Sequence, residues 1–323
     1  MQPPARRIKS PEQPVIVPAI AIPSDVHFSV AWRLLVLVGG AIAGLLLWKR
    51  QWPSIATLGF TAGVLWRYGR HHEPAHPRLV HRTIADPRFP AALDGFTIAQ
   101  ISDIHLGQPH SDSNLAWTIE TMQRIKPDLI CLTGDLVNNR PALTRLSRYL
   151  RQLHAPSGIV AIAGNHDYAE GIDDVRAALS FAGVPLLQNQ GMMIQHNHCN
   201  VWLAGVDDVW HGRMDIDQAV RDAPAVMPVM LLAHAPDAVR EATRYPNIVL
   251  QLSGHVHGGH VRIPGLGPLA KPRFGRHYTH GTLRVGTIHL HVSVGLGGRA
   301  FRLGNTPEVT LIRCMHLKEG HLS

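Results

Sequence analysis

The chain has 323 residues, 45% hydrophobic and 17% charged, which is enough to bury a full core and excludes a chain disordered by composition. Its formal charge of +8 suits a negatively charged partner such as phosphate, anionic lipid or nucleic acid, without choosing among them. Three cysteines with no CxxC pair, Cys131, Cys199 and Cys314, exclude a disulfide framework and a thiolate zinc site.

Residues 1 to 25 are proline-rich with little periodicity and read as an irregular tail. Two apolar runs without charge follow, "LLVLVGGAIAGLLLW" (34 to 48) and "SIATLGFTAGVLW" (54 to 66), separated by "KRQWP". Each is shorter than the roughly 20 residues that cross a bilayer, but extension back to Val26 reaches that length if Arg33 snorkels. The expectation is a membrane anchor over residues 26 to 70, as one span or a helical hairpin; a buried hairpin of a soluble domain is the alternative. With two passes, Arg6, Arg7, Lys9, Arg33, Arg67 and Arg70 face Lys49 and Arg50 across the membrane, which places the remainder of the chain in the cytoplasm. With one span the count is nearly balanced and orientation stays open.

From about residue 78, apolar runs rich in β-branched residues alternate with helical stretches: "FTIAQIS" (96 to 102), "DLICLT" (128 to 133), "GIVAIA" (158 to 163), "VMLLA" (229 to 233) and "NIVLQLS" (247 to 253). Leu115, Ile119, Met122 and Ile125, then Leu143, Leu146, Leu150 and Leu153, recur at helical spacing between the first three. The pattern predicts an α/β domain on a central sheet.

Each run is followed by metal-ligating residue types. Asp103 and His105 follow the first, Asp135 the second, Asn165, His166 and Asp167 the third, His234 the fourth, and His255 and His257 in "SGHVHGGH" the fifth. Singly, any of these serves as a helix cap, a turn residue or a hydrogen-bonded histidine. Together they line the edge where open α/β sheets place ligands, and point to a metal centre. A donor set of oxygen and nitrogen without thiolate suits manganese, iron(II), zinc or cobalt. Seven or more ligands among these nine residues are too many for one tetrahedral site and fit two divalent ions sharing a carboxylate bridge.

The ordered set D-x-H, G-D, G-N-H-D, H and G-H-x-H resembles the calcineurin-like metallophosphoesterases over roughly residues 78 to 313. "SDIHLG", "AHAPD", "GHVHGGHVRIPG" and "NTPEVTLI" look most like bacterial membrane-anchored phosphodiesterases of that superfamily, whose relatives include UDP-2,3-diacylglucosamine pyrophosphatases. The resemblance implies a β-sheet sandwich flanked by helices. It implies one metal on Asp103, His105 and His257, a second on Asn165, His234 and His255, and Asp135 as the bridge. His166 becomes the catalytic histidine near the scissile phosphate, with Asp167 orienting it. His260 and Val294 stand where relatives often carry Gln and Arg. The implied activity is hydrolysis of phosphodiester or pyrophosphate bonds on a membrane-associated or lipid-linked substrate. A phosphomonoesterase, a protein phosphatase and a non-catalytic metal-binding membrane protein are the alternatives. With 6% aromatics and no basic–aromatic repeat, no nucleic-acid partner is expected. The segment 262 to 281, carrying Arg262, Lys271, Arg273 and Arg276, is either a solvated loop or a holder of a second phosphate or anionic lipid.

Overall fold

In the computed structural model, the described residues are 27–28, 30–49, 51–197 and 199–317; the expected proline-rich tail lies outside them. Two mixed sheets face each other. One has five strands in the order Arg78–Asp86, Glu308–His316, Thr97–Ile101, Leu129–Thr133 and Ile159–Ile162. The other has six, in the order Gly281–Val285, Ile288–Val292, Ile248–Ser253, Val229–Leu232, Cys199–Gly205 and Gln190–His196. The single central sheet expected from the alternating pattern is therefore two.

Side-chain alternation explains the stacking. In the strand Leu129–Thr133, Leu129 and Cys131 face the second sheet while Ile130 and Leu132 face helices. Leu203, Met230, Leu232, Leu250 and Leu252 supply the opposing inner face. The helices Ser111–Ile125, Ala142–Leu150 and Ile172–Phe181 cover the first sheet with Leu115, Ile119, Leu146 and Leu179. Shorter helices at Ile216–Val220 and Val239–Ala242 cover the second. The central strands are thus buried on both faces, which is why they read as unbroken apolar runs.

The N-terminal segment corrects the sequence expectation. It forms two contacting helices, Val30–Trp48 and Trp52–Arg67, of 19 and 16 residues; the first ends at a turn at Lys49, and Pro53 stands in the first turn of the second. No helix among the described residues is long and apolar enough to cross a membrane, so a spanning anchor is not supported. The pair is instead fastened to the rest of the fold at both ends. Before the first helix, His27 and Phe28 pair antiparallel with Lys271 and Ala270. After the second, the Arg302 amide donates to the Gly69 carbonyl (2.9 Å) and Arg70 Nη1 to that of Ala300 (3.0 Å).

Glu73 completes this junction. Its buried carboxylate accepts from the amides of Gly304 (2.9 Å) and Asn305 (2.6 Å) and from the Thr306 hydroxyl. Glu73→Ala leaves those donors without their partner and should destabilise the fold by about 1–3 kcal/mol. A urea midpoint that drops with unchanged slope is the expected reading; an unchanged midpoint shows that Glu73 holds nothing.

Candidate metal centre

Every predicted site residue sits just beyond the end of a strand, and the two sheets bring all of these ends to one edge. Asp103 and His105 follow Thr97–Ile101, Asp135 follows Leu129–Thr133, and Asn165 opens the short helix after Ile159–Ile162. His234 follows Val229–Leu232, and His255 and His257 follow Ile248–Ser253. Five of these, Asp103, His105, Asp135, His255 and His257, have positive φ, between 46° and 71°. Non-glycine residues adopt that conformation at a cost of order 1–3 kcal/mol each, and only where the surroundings compel it. The strand ends curl inward at the expense of backbone comfort, and this aims the side chains at one another.

Packing around the curl is tight. A Cβ on Gly254 would strike Ser102 Oγ and the Asp103 carboxylate, and one on Gly164 would strike Asp135 Oδ1. Backbone approaches this close are open only to glycine.

The ligand atoms form two groups that share one carboxylate. Asp103, His105, Asp135 and His257 converge on one side, and Asp135, His234 and His255 on the other. Asp135 Oδ2 lies 3.5 Å from His105 Nε2 and 3.3 Å from His234 Nε2, while His257 Nε2 lies 3.3 Å from Asp103 Oδ1. Asn165 joins the second group, with Oδ1 3.0 Å from His255 Nδ1.

Hydrogen bonds behind the rings decide which nitrogen faces the centre. His234 Nδ1 donates to the Thr133 carbonyl (2.8 Å) and His105 Nδ1 to Asn138 Oδ1 (2.8 Å), so Nε2 of each points inward. His255 Nε2 donates to the Arg273 carbonyl (2.7 Å), which turns its Nδ1 lone pair toward Asn165 Oδ1. Two acceptors then face each other at 3.0 Å, while Arg302 donates to His257 Nδ1 (3.4 Å), which leaves the His257 proton on Nε2, 3.1 Å from the His105 Nε2 lone pair. The buried His234 Nε2 faces only the Asp135 carboxylate, at 3.3 Å. Opposed lone pairs repel unless a cation lies between them, so the donor set fits divalent metal.

Titration behaviour agrees. Burial alone would raise the Asp135 pKa, but His234, His166 and His105 around it hold it well below the usual carboxylate range. Burial works against a charged His234, yet Asp135, Asp103 and Asp208 push it up to about 10. His105 and His255 are lowered to about 4 by burial, which leaves them neutral and ready to ligate. Without an ion, the proton on His234 supplies the positive charge that the carboxylates demand.

The centre is the floor of a cavity of about 910 Å³ lined by His166, Trp210, His211, His260, Arg299 and Phe301 among others. A match to calcineurin-like phosphoesterases spans residues 96–259. The chain belongs to that family. It is 33% identical over 270 residues to the metallophosphoesterase YkuE of Bacillus subtilis, covering 81% of this chain and 94% of that one. Over 265 residues it is 30% identical to the phosphodiesterase YaeI of Escherichia coli, covering 80% and 95%. Over 321 residues it is 26% identical to the UDP-2,3-diacylglucosamine pyrophosphatase LpxG of Chlamydia trachomatis, covering 81% and 97%. This metallophosphoesterase is accordingly an enzyme acting on phosphoester bonds.

One sequence-derived role is corrected by geometry. Asp167 does not orient the His166 ring: its carboxylate accepts from the backbone amides of Leu136 (2.8 Å), Val137 (3.2 Å) and Gly164 (2.9 Å). It ties the loop after Asp135 to the turn before Asn165, and so sets the spacing of two candidate ligands. His166 meets the centre otherwise. Its amide donates to Asp135 Oδ1 (2.8 Å) and its ring stands edge-on to His105 with centroids 4.7 Å apart. Sequence reasoning missed Asn138 and Arg302. Asn138 lies three residues after Asp135, in "GDLVNN" (134 to 139), and had a signal; Arg302, fully buried and donating to the carbonyls of Val294 and Gly295, had none.

Asp135→Ala should strip most of the bound metal, because both ligand groups lose their shared oxygen; elemental analysis showing undiminished metal sinks the shared-carboxylate assignment. In the parent, metal uptake must displace the His234 proton below about pH 10. Affinity should therefore rise with pH, by about tenfold per unit for each proton displaced, and calorimetry in buffers of different ionisation enthalpy should register the release.

Proposed function

We propose that this metallophosphoesterase cleaves phosphodiester or pyrophosphate bonds of a membrane-associated, lipid-linked substrate. Asp103, His105 and His257 hold one divalent ion and Asn165, His234 and His255 the other, with Asp135 between them. The observation that carries the reading is the convergence of both ligand groups on Asp135 at the floor of one cavity. Manganese, iron(II), zinc and cobalt all match the donors. Bound there, such ions lower the pKa of water toward 7 and neutralise phosphoryl oxygens.

The chain's own residues do the rest. The half-buried His166 ring faces the cavity and makes no hydrogen bond to a ligand, which leaves it free to give a proton to the departing oxygen. Trp210 and His211 overhang the same floor because Asp208 accepts from both of their amides, at 2.9 Å and 2.7 Å. Arg273 lies over the Trp210 ring at 6.0 Å and carries the carbonyl that orients His255.

The N-terminal helices favour a lipid surface. Leu37, Trp48, Trp52, Phe60, Leu65 and Trp66 are exposed on them, more apolar surface than a pair of helices carries in water without a partner. We divide the chain into the tail (1 to 25), this membrane-associating pair (26 to 70) and the hydrolytic domain (78 to 313). The name of LpxG accords with a lipid-linked pyrophosphate, and that of the phosphodiesterase YaeI with a phosphodiester.

His166→Asn should keep metal content and fold while lowering turnover of a diester with a poor leaving group by roughly 10²- to 10⁴-fold, with a smaller loss for an acidic leaving group. Unchanged turnover of the poor substrate, or lost metal, removes His166 from proton transfer.

A further inference from the structure

The cavity is chemically divided. Its floor carries the candidate ligands, but one side is walled by Val261, Ile263, Leu269, Pro272, Phe301 and Leu303, with no carboxylate among them. Ligand cavities run roughly 300–1,000 Å³, and a phosphoryl group on the floor occupies a small part of about 910 Å³. A large apolar volume therefore adjoins the reacting centre and is continuous with it.

The wall is built as a unit. Val261 bridges to Leu303, the Arg262 amide donates to the Leu303 carbonyl (2.8 Å), and the Leu269 amide donates to that of Val261 (3.0 Å). The same wall is where the N-terminal helix pair is fastened. The strand before the first helix pairs with Ala270 and Lys271, and Gly69, after the second, packs so closely on Phe301 that a Cβ there would strike its ring. Both ends of the exposed apolar pair thus join the rim of the apolar half of the cavity. Arg299, which is exposed, also lines the cavity.

We propose that this apolar half is the binding site for the hydrocarbon chain of the substrate, which passes from the lipid surface along the helix pair and lies against Ile263, Phe301 and Leu303 while its phosphoester rests on the floor. This inference rests on the proposed hydrolysis and specifies which end of the molecule goes where. A chain bound in this way is removed from water over its full length, so each added methylene should strengthen binding by about three- to fourfold until the wall ends.

The test is a series of methyl, butyl and octyl p-nitrophenyl phosphate diesters, all monomeric in solution, with the full chain loaded with metal. kcat/KM should climb steeply along the series. Ile263→Ser and Leu303→Ser, both at half-buried positions outside the strand cores, should flatten the climb, each compared with its own rate on the methyl ester. A second readout needs no turnover: octyl phosphate should bind the metal-free chain far more tightly than methyl phosphate, with a negative heat-capacity change on calorimetry. Equal kcat/KM for all three diesters, equal affinity for both phosphates, or a parent-like slope in both folded variants overturns the assignment. Failure of the metal-loaded chain to hydrolyse any diester, while octyl phosphate still binds preferentially, overturns the hydrolytic reading and leaves the apolar site standing.

Discussion

Everything at the sheet edge depends on one electrostatic constraint: buried carboxylates and ring nitrogens are packed within about 3–3.5 Å of one another with few hydrogen-bond donors among them. Such a cluster is stable only around positive charge. The fold meets the constraint with hydrogen bonds placed behind the rings, at Thr133, Asn138 and Arg273, which settle each tautomer before any ion arrives. It also accepts backbone strain at five ligand positions and forbids side chains at Gly164 and Gly254. Asp167 belongs to the same scheme. Although its position beside His166 suggests a catalytic pair, its three amide partners make it the clamp between two strand ends.

The strands that carry the candidate ligands were legible because they are buried on both faces and appear as uninterrupted apolar runs. Expected limits of 128 to 133 and 247 to 253 compare with Leu129–Thr133 and Ile248–Ser253. The edge strands were not legible. Arg78–Asp86 buries only two of its nine residues and Gly281–Val285 has no fully buried position, so neither carries a hydrophobic signal. The division into two sheets was equally hidden from periodicity, since Leu203 and Leu129 look alike in sequence and differ only in which layer they join. It came only through family resemblance.

Within the site, residue types at strand ends were readable and their couplings were not. Asp103 meets the His255 amide across 152 positions of chain. Glu73 reaches Asn305 across 232, and no local pattern reports a partner at that distance. The apolar runs at 34 to 48 and 54 to 66 gave the opposite difficulty. Their composition was plain, but "KRQWP" between them decided the geometry: the chain turns there and both ends return to the body of the fold.

The five-stranded sheet has a further consequence for how the chain is made. Glu308–His316 lies between Arg78–Asp86 and Thr97–Ile101, pairing with the first along its whole length and with the second over Thr310 to Arg313. During synthesis, Thr97–Ile101 emerges with one edge unpaired and keeps it so while more than 200 further residues follow. An unpaired apolar strand edge is a template for the wrong partner. The nascent protein must pass through that exposed state until Glu308–His316 emerges and pairs with that edge.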